Sequence, residues 1–249
     1  MKKFDLPQLN LQFRYAACED ILDWTISNIY PDMAMTTSFQ ASGIVLISFV
    51  KKIQPDFPIY FIDTGYHFPE TLEFRDRLVR EWELNVITVY PDKEKHVFRL
   101  ESGDPVKGEL DICCQANKVE PLNRLKKRLR VSAWISAVRR DQSPDRAGLN
   151  MFMRDKAGYI RIHPLIHWTS QRIWKYIYSQ NLPFHPLYDQ GFTSIGCFPP
   201  ACTTRSISGG DERGGRWAKT GKTECGLHLD LVEEEEEAWV QLESKEKNK

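Results

Sequence analysis

The chain has 249 residues, 41% of them apolar, and its 34 basic side chains balance 34 acidic ones. That length can bury a substantial core in one domain, and no stretch approaches the ~20 apolar residues of a membrane helix. Nor do the opening residues resemble a signal peptide, so a soluble, cytoplasmic protein without a membrane partner is expected. Charge is unevenly spread: Asp230–Lys249 holds eight acids against three lysines, which leaves residues 1–229 with a mild positive excess. Such an excess suits a small anionic substrate and falls short of the concentrated basic face of a nucleic-acid binder.

Taken in chain order, the pattern alternates helix and strand. Phe13, Ala17, Ile21 and Trp24 recur at helical spacing and predict a helix over Leu11–Ile29, with Cys18 a buried core residue inside it. Met33–Phe39 reads as a first strand, Gly43–Lys52 as a helix, and Pro58–Ile62 as a buried strand, followed by a helix opening near Pro69. Further strands are expected at Asn85–Tyr90, Val131–Val138 and Tyr159–Ile162, and a helix capped by Thr169 runs to Ser179. This alternation argues for an α/β fold with a mainly parallel sheet. From Asn181 onward the chain is irregular and rich in proline and glycine. Residues 1–229 are expected to form one domain, with a mobile C-terminal arm over about 203–229 and an acidic tail at 230–249.

Ligands of open α/β sheets bind beyond the carboxyl ends of the strands. Those ends carry Ser38-Phe39-Gln40-Ala41-Ser42, Asp63-Thr64-Gly65 and Arg139-Arg140. The first can offer hydroxyls and amides at a helix start, and the others suit ribose and phosphate. Taken singly, each also fits a tight connection, a helix cap or a solvated strand end.

The six cysteines form a stronger pattern. With no secretory context, metal binding or catalysis is a better account than three disulfides. Cys113-Cys114 and the pair Cys197 and Cys202, read as lying on separate loops, can supply four sulfur ligands to an iron–sulfur cluster or to zinc, although an adjacent pair is not zinc-ribbon spacing. Cys225 stands apart from both pairs.

These residues resemble the assimilatory adenylyl-sulfate (APS) reductases of the phosphoadenylyl-sulfate/adenylyl-sulfate reductase family. The likeness runs from about Thr36 to His228. It rests on the loops above, on the Cys-Cys segment with Lys118 and Pro121-Leu122, on Tyr188 through Cys197, on Asp211-Glu212-Arg213-Gly214-Gly215-Arg216-Trp217, and on Glu224-Cys225-Gly226-Leu227-His228. The resemblance implies a PP-loop-type domain of the adenine-nucleotide alpha-hydrolase kind and one [4Fe-4S] cluster per chain on Cys113, Cys114, Cys197 and Cys202. It also implies Cys225 as nucleophile, with Lys118, Arg213, Arg216 and His228 on the phosphosulfate. Two departures stand out: Cys197 and Cys202 are separated by four residues where the family has two, and Asn117 replaces an arginine.

The implied reaction reduces adenylyl sulfate to sulfite and AMP through an S-sulfocysteine that thioredoxin or a similar dithiol resolves. Gly209, Gly210, Gly214, Gly215 and Gly221 suit an arm that presents Cys225 to each in turn. A phosphoadenylyl-sulfate (PAPS) reductase would share Cys225 but need none of the other four cysteines. An ATP-pyrophosphatase-type adenylating enzyme would need a glycine pair that Ser38–Ser42 lacks. Oligomeric state is left open.

Overall fold

The computed structural model describes residues 4–92, 107–198, 202–205, 212–218, 220 and 222–227. Six strands, β1 (Met33–Thr36), β2 (Ile59–Ile62), β3 (Val86–Val89), β4 (Ala133–Ile135), β5 (Phe152–Arg154) and β6 (Ile160–Ile162), make one sheet in the order β3-β2-β1-β4-β6-β5. Every neighbouring pair is parallel except β5 with β6. The expected α/β domain with a mainly parallel sheet is therefore present.

Side-chain alternation explains why the central strands are apolar throughout. Met35, Ile59, Phe61, Ala133 and Ile135 point to one face, where α2 (Cys18–Ile29), α3 (Ala41–Ile53) and α7 (Ser170–Ser179) cover them through Leu22, Leu46 and Ile177. Ala34, Tyr60, Ile62 and Trp134 point to the other, onto Leu122 and Leu125 of α6 (Glu120–Leu129). The helix expected near Pro69 is α4 (Pro69–Glu81). Thr169 caps α7 by accepting a hydrogen bond from the Arg172 amide at 3.2 Å, and Cys18 is buried in the core.

Three expectations change. The single helix over Leu11–Ile29 is two, α1 (Leu6–Gln12) and α2, separated by a turn. Asn10 pins α1 to β5: its amide donates to the Phe152 carbonyl at 2.8 Å and accepts from the Phe152 N–H at 2.9 Å. The apolar period ran through the break because Phe13 and Trp24 pack on the same Phe152 ring. Strand β5, three residues at the antiparallel edge, carries too little pattern to be read from sequence. The Cys113-Cys114 segment, expected in a loop, ends a helix, α5 (Lys107–Cys114), that passes through a π-helical turn at Gln115–Val119 into α6. Pro121 lacks an N–H and would crowd the carbonyl four residues back, and the wider π turn immediately before it relieves that clash.

Two buried histidines make stability depend on pH. Burial, and next the cations Arg161 and Arg146, push His163 down to about 3. Burial, and then His67, lower His185 to about 4. His163 Nδ1 is 2.9 Å from Ser136 Oγ, and His185 Nε2 is 2.9 Å from Thr71 Oγ1. Because both folded values lie below the unfolded value of 6.5, only the unfolded chain takes up these protons between about pH 6.5 and 4. Their stabilisation is complete above that window and lost as pH falls, at about 2.7 kcal/mol per pH unit for the pair where both differ fully. Urea midpoints at pH 7.5 and 5 should show the fall, and His163→Gln should lessen it without removing it, since burial lowers His67 and His167 as well; an unchanged midpoint at pH 5 contradicts this assignment.

Candidate active site

The chain builds β1, β2 and β3 toward one edge and then returns to place β4 on the other side of β1. The connections after β1 and β4 diverge at that point and leave a crevice at the strand ends, where open sheets bind ligands. A cavity of about 180 Å³ lies there. Thr37, Ser38, Gln40 and Ser42 from the β1 connection form one wall, and Ser136 and Val138 beyond β4 form another. Gly43 is required at the start of α3 because any Cβ would meet Thr37 Oγ1 at 2.7 Å.

Cys225 faces this cavity together with Lys118, Arg213 and Arg216. The Cys225 thiol is held below its ordinary 9.0: burial alone would raise it, but Lys118, the Leu227 backbone amide and Arg216 outweigh burial and the Glu224 charge. Arg213 is lowered to about 10 by burial and by neighbouring Arg146, and it stays a cation at neutral pH.

Other expected contacts lie elsewhere. Phe39 adopts a positive φ of 55° and turns its ring into the core, 5.8 Å from Phe61. Ala41 is buried, and its N–H donates to Tyr188 Oη at 3.2 Å. Asp63 accepts from the Gly65 N–H at 3.0 Å and lies 3.7 Å from Arg75, so it caps its own turn, with Gly65 at φ 74°. Arg139 is 1% exposed, and its guanidinium is taken up by Asp141, Ser42 and Glu212. Arg140 points out of the crevice, donating to the Leu149 carbonyl at 2.7 Å and to Asn150 Oδ1 at 2.9 Å. Its guanidinium has fixed partners within the β4–β5 connection, which the Arg-Arg dipeptide could not reveal. His228 and the tail at 230–249 lie outside the described residues.

Behind the first cavity is a second and smaller one, lined by Cys113, Cys114, Cys197 and Cys202. Four thiols from two distant stretches of chain thus meet, and none is in a disulfide. Burial pushes Cys114 up to about 11 and Cys202 up to about 12. Thr64, expected at the nucleotide, lies here, with Oγ1 3.5 Å from Cys197 Sγ. Asn117 donates to Cys113 Sγ at 3.5 Å, supplying a neutral N–H from the position that departs from the family pattern. As the side chains stand, no three His, Cys, Asp or Glu among the described residues are placed to hold a single metal ion. In kind, the donor set is that of a four-cysteine site.

Lys118, Arg216 and Trp217 line both cavities and form the partition between them. Trp217 is 2% exposed, with the Arg216 guanidinium 4.4 Å from its ring centroid. Arg216 donates to the Cys202 carbonyl at 2.9 Å, which ties the arm to the cysteine segment. A side chain at Gly196 would overlap the Arg216 guanidinium, so only glycine lets the arginine lie there. Gln40 ties the β1 connection to the segment leading into Cys197, accepting from the Ile195 N–H at 2.9 Å. Sequence reasoning missed Arg146, Arg161, Glu212 and Tyr188 as parts of the site. The last two lie within motifs already singled out, whereas Arg146 and Arg161 carry no local signal.

The model for the phosphoadenosine phosphosulfate reductase domain matches residues 32–204, most of the chain and both walls of the cavity. The chain belongs to this family. Among similar proteins, adenosine 5'-phosphosulfate reductase of Geobacillus kaustophilus is 39% identical over 213 residues, covering 84% of this chain and 89% of its own. Phosphoadenosine 5'-phosphosulfate reductase of Gloeobacter violaceus is 36% identical over 231 residues, covering 90% and 93%. In structure, the chain resembles phosphoadenylyl-sulfate reductase of Candida auris in its phosphate complex, with a TM-score of 0.69 over 80% of this chain and 97% of that one, at 24% identity. Candida glabrata FMN adenylyltransferase shares the fold at a TM-score of 0.56 and 18% identity. Among the described residues, no helix of this reductase-family chain is long and apolar enough to cross a membrane.

Proposed function

We propose that this chain reduces adenylyl sulfate to sulfite and AMP in sulfate assimilation, with Cys225 as the nucleophile. The observation that carries the reading is the position of Cys225: an arm far along the chain brings one thiol into the crevice at the β1/β4 switch point, among Lys118, Arg213 and Arg216. Sulfur in a phosphosulfate anhydride is electrophilic, and nucleotide phosphate is a good leaving group. The Cys225 thiolate attacks that sulfur, an S–S bond forms, the S–O bond to phosphate breaks, and AMP leaves with the electron pair. The three cations balance charge on the departing phosphate. Ser38, Gln40 and Ser42 hold the nucleotide from the opposite wall.

The product, S-sulfocysteine, needs an external dithiol protein of the thioredoxin kind. One thiolate of the dithiol attacks Cys225 Sγ and expels sulfite, and its second thiol reduces the mixed disulfide, so the dithiol supplies both electrons. No membrane or nucleic-acid partner enters this chemistry, and a cytoplasmic location, where dithiol proteins are kept reduced, suits it.

Cys113, Cys114, Cys197 and Cys202 would hold one [4Fe-4S] cluster. When bound, it would join the end of α5 to the 197–202 segment and set the electrostatic field behind Lys118 and Arg216. The four cysteines also favour the unphosphorylated nucleotide over its 3'-phosphorylated form, since a cluster-free reductase of the latter has no use for them. The test is sulfite release from each nucleotide with thioredoxin present. Adenylyl sulfate should be preferred by at least roughly tenfold in kcat/KM, a difference of 1.4 kcal/mol in transition-state binding. Preference for the 3'-phosphorylated substrate would reverse the assignment, and sulfite from neither would refute it.

A further inference from the structure

The reaction above explains Cys225 but not what holds it in place. On its N-terminal side, Glu224 is 4% exposed and grips Arg146: Nε donates to Oε1 at 2.7 Å and Nη2 donates to Oε2 at 3.0 Å. Ser143 Oγ donates to the same Oε1 at 3.2 Å, and Arg213 donates to Oε2 at 3.2 Å. On the C-terminal side, Arg161 of β6 donates to the Leu227 carbonyl at 3.1 Å. Arg161 is itself held by Asp155, 3.7 Å away, whose carboxylate also takes the buried Lys126 at 2.9 Å. The turn that bears Cys225 is thus fixed at both ends by arginines of the sheet domain.

We propose that Arg146, through its paired hydrogen bonds to Glu224, is the positioning residue that docks the arm and sets the Cys225 thiol at the nucleotide cavity. A two-point guanidinium–carboxylate contact fixes orientation as well as distance, which a single point charge does not. The contact is also reversible. A thiol that must meet a nucleotide and afterwards a dithiol protein requires an arm that docks and releases, and among the described residues its grip on Arg146 comes from one carboxylate next to the nucleophile. Arg161 completes the docking from the other side.

This proposal rests on the assignment of Cys225 as nucleophile, so its test has one part that needs no turnover. Arg146→Lys keeps the charge and removes the fork. In the full chain without nucleotide, iodoacetamide labelling of Cys225, located by peptide mass spectrometry, should quicken by about 3- to 10-fold as the arm opens more often. In single turnover with adenylyl sulfate, formation of the Cys225 adduct should slow by roughly 10- to 100-fold, as expected for a misplaced reacting atom. AMP affinity should fall by less than adduct formation slows, because Arg146 lines the nucleotide cavity but its fork is taken up by Glu224. Glu224→Gln should slow the adduct at least as much, since it also weakens the contacts to Ser143 and Arg213, and the double variant should be no worse than Glu224→Gln alone, because the fork is already lost there. Unchanged labelling overturns the docking role, and faster labelling with a normal adduct rate overturns the positioning role. A tenfold loss of AMP affinity with unchanged labelling would make Arg146 a ligand of the nucleotide instead. If wild type forms no adduct at all, the reaction assigned above fails, and the labelling rates still judge the docking.

Discussion

Cys225→Ser should abolish sulfite formation, leaving less than roughly one-thousandth of the wild-type rate, because the residue is the bond-forming atom and no neighbouring group can replace it. Serine is almost wholly protonated at neutral pH and is a poor partner for a sulfuryl centre. The field of Lys118 and Arg216 that favours the Cys225 thiolate cannot ionise an alcohol far less acidic than a thiol. Nucleotide affinity should be nearly unchanged, because Ser38, Gln40 and Ser42 line the opposite wall of the cavity. Wild type incubated with adenylyl sulfate and no reductant should gain one sulfonate per chain in intact mass, at Cys225, and thioredoxin should remove it. Turnover by the serine variant, or an adduct at another cysteine, rules out the mechanism whatever the family.

The second large effect concerns the four other thiols. Anaerobically purified protein should be brown and hold about four iron atoms per chain. Cys202→Ser should lose most of that iron and, with it, thermal stability. Two observations motivate this. Cys113 and Cys114 close α5 while Cys197 and Cys202 belong to a separate irregular segment, and the two stretches meet at the small cavity behind Lys118. Removing a metal that ties two such stretches together takes its binding energy out of folding. Stoichiometric zinc, or full iron in Cys202→Ser, would show that the four-residue spacing between Cys197 and Cys202 serves another ligand set. Because Cys225 lies outside the set, Cys225→Ser should keep its iron, which separates the two chemistries experimentally.

Much of this was legible in the sequence because it depends on local pattern. Apolar runs bounded by turn residues located β1, β2 and β4, since strands buried on both faces are apolar at nearly every position, and the Tyr159–Ile162 stretch located β6 despite its buried Arg161. The Thr169 cap and the segregation of Cys225 from the two cysteine pairs were equally local. So were the residues that carry the family resemblance, which fixed the fold class and the reaction.

What the sequence left undecided were choices made by packing between distant residues. A helical period cannot distinguish one helix from two that face the same core, so the break before α2 emerged only with the Asn10 clasp on β5. The two adjacent arginines after β4 look alike as a dipeptide. In the fold, Arg139 is buried beneath the arm with Glu212, and Arg140 is held at the outer side by Asn150. Phe39 and Asp63, chosen for their place in loops, have their side chains committed to the core and to a local turn. Arg146 and Arg161 gave no signal in one dimension, because their partners Glu224 and Leu227 lie 78 and 66 residues away. A charged side chain acquires its role from the partner that burial brings to it, and that pairing exists only once the sheet and the arm have come together.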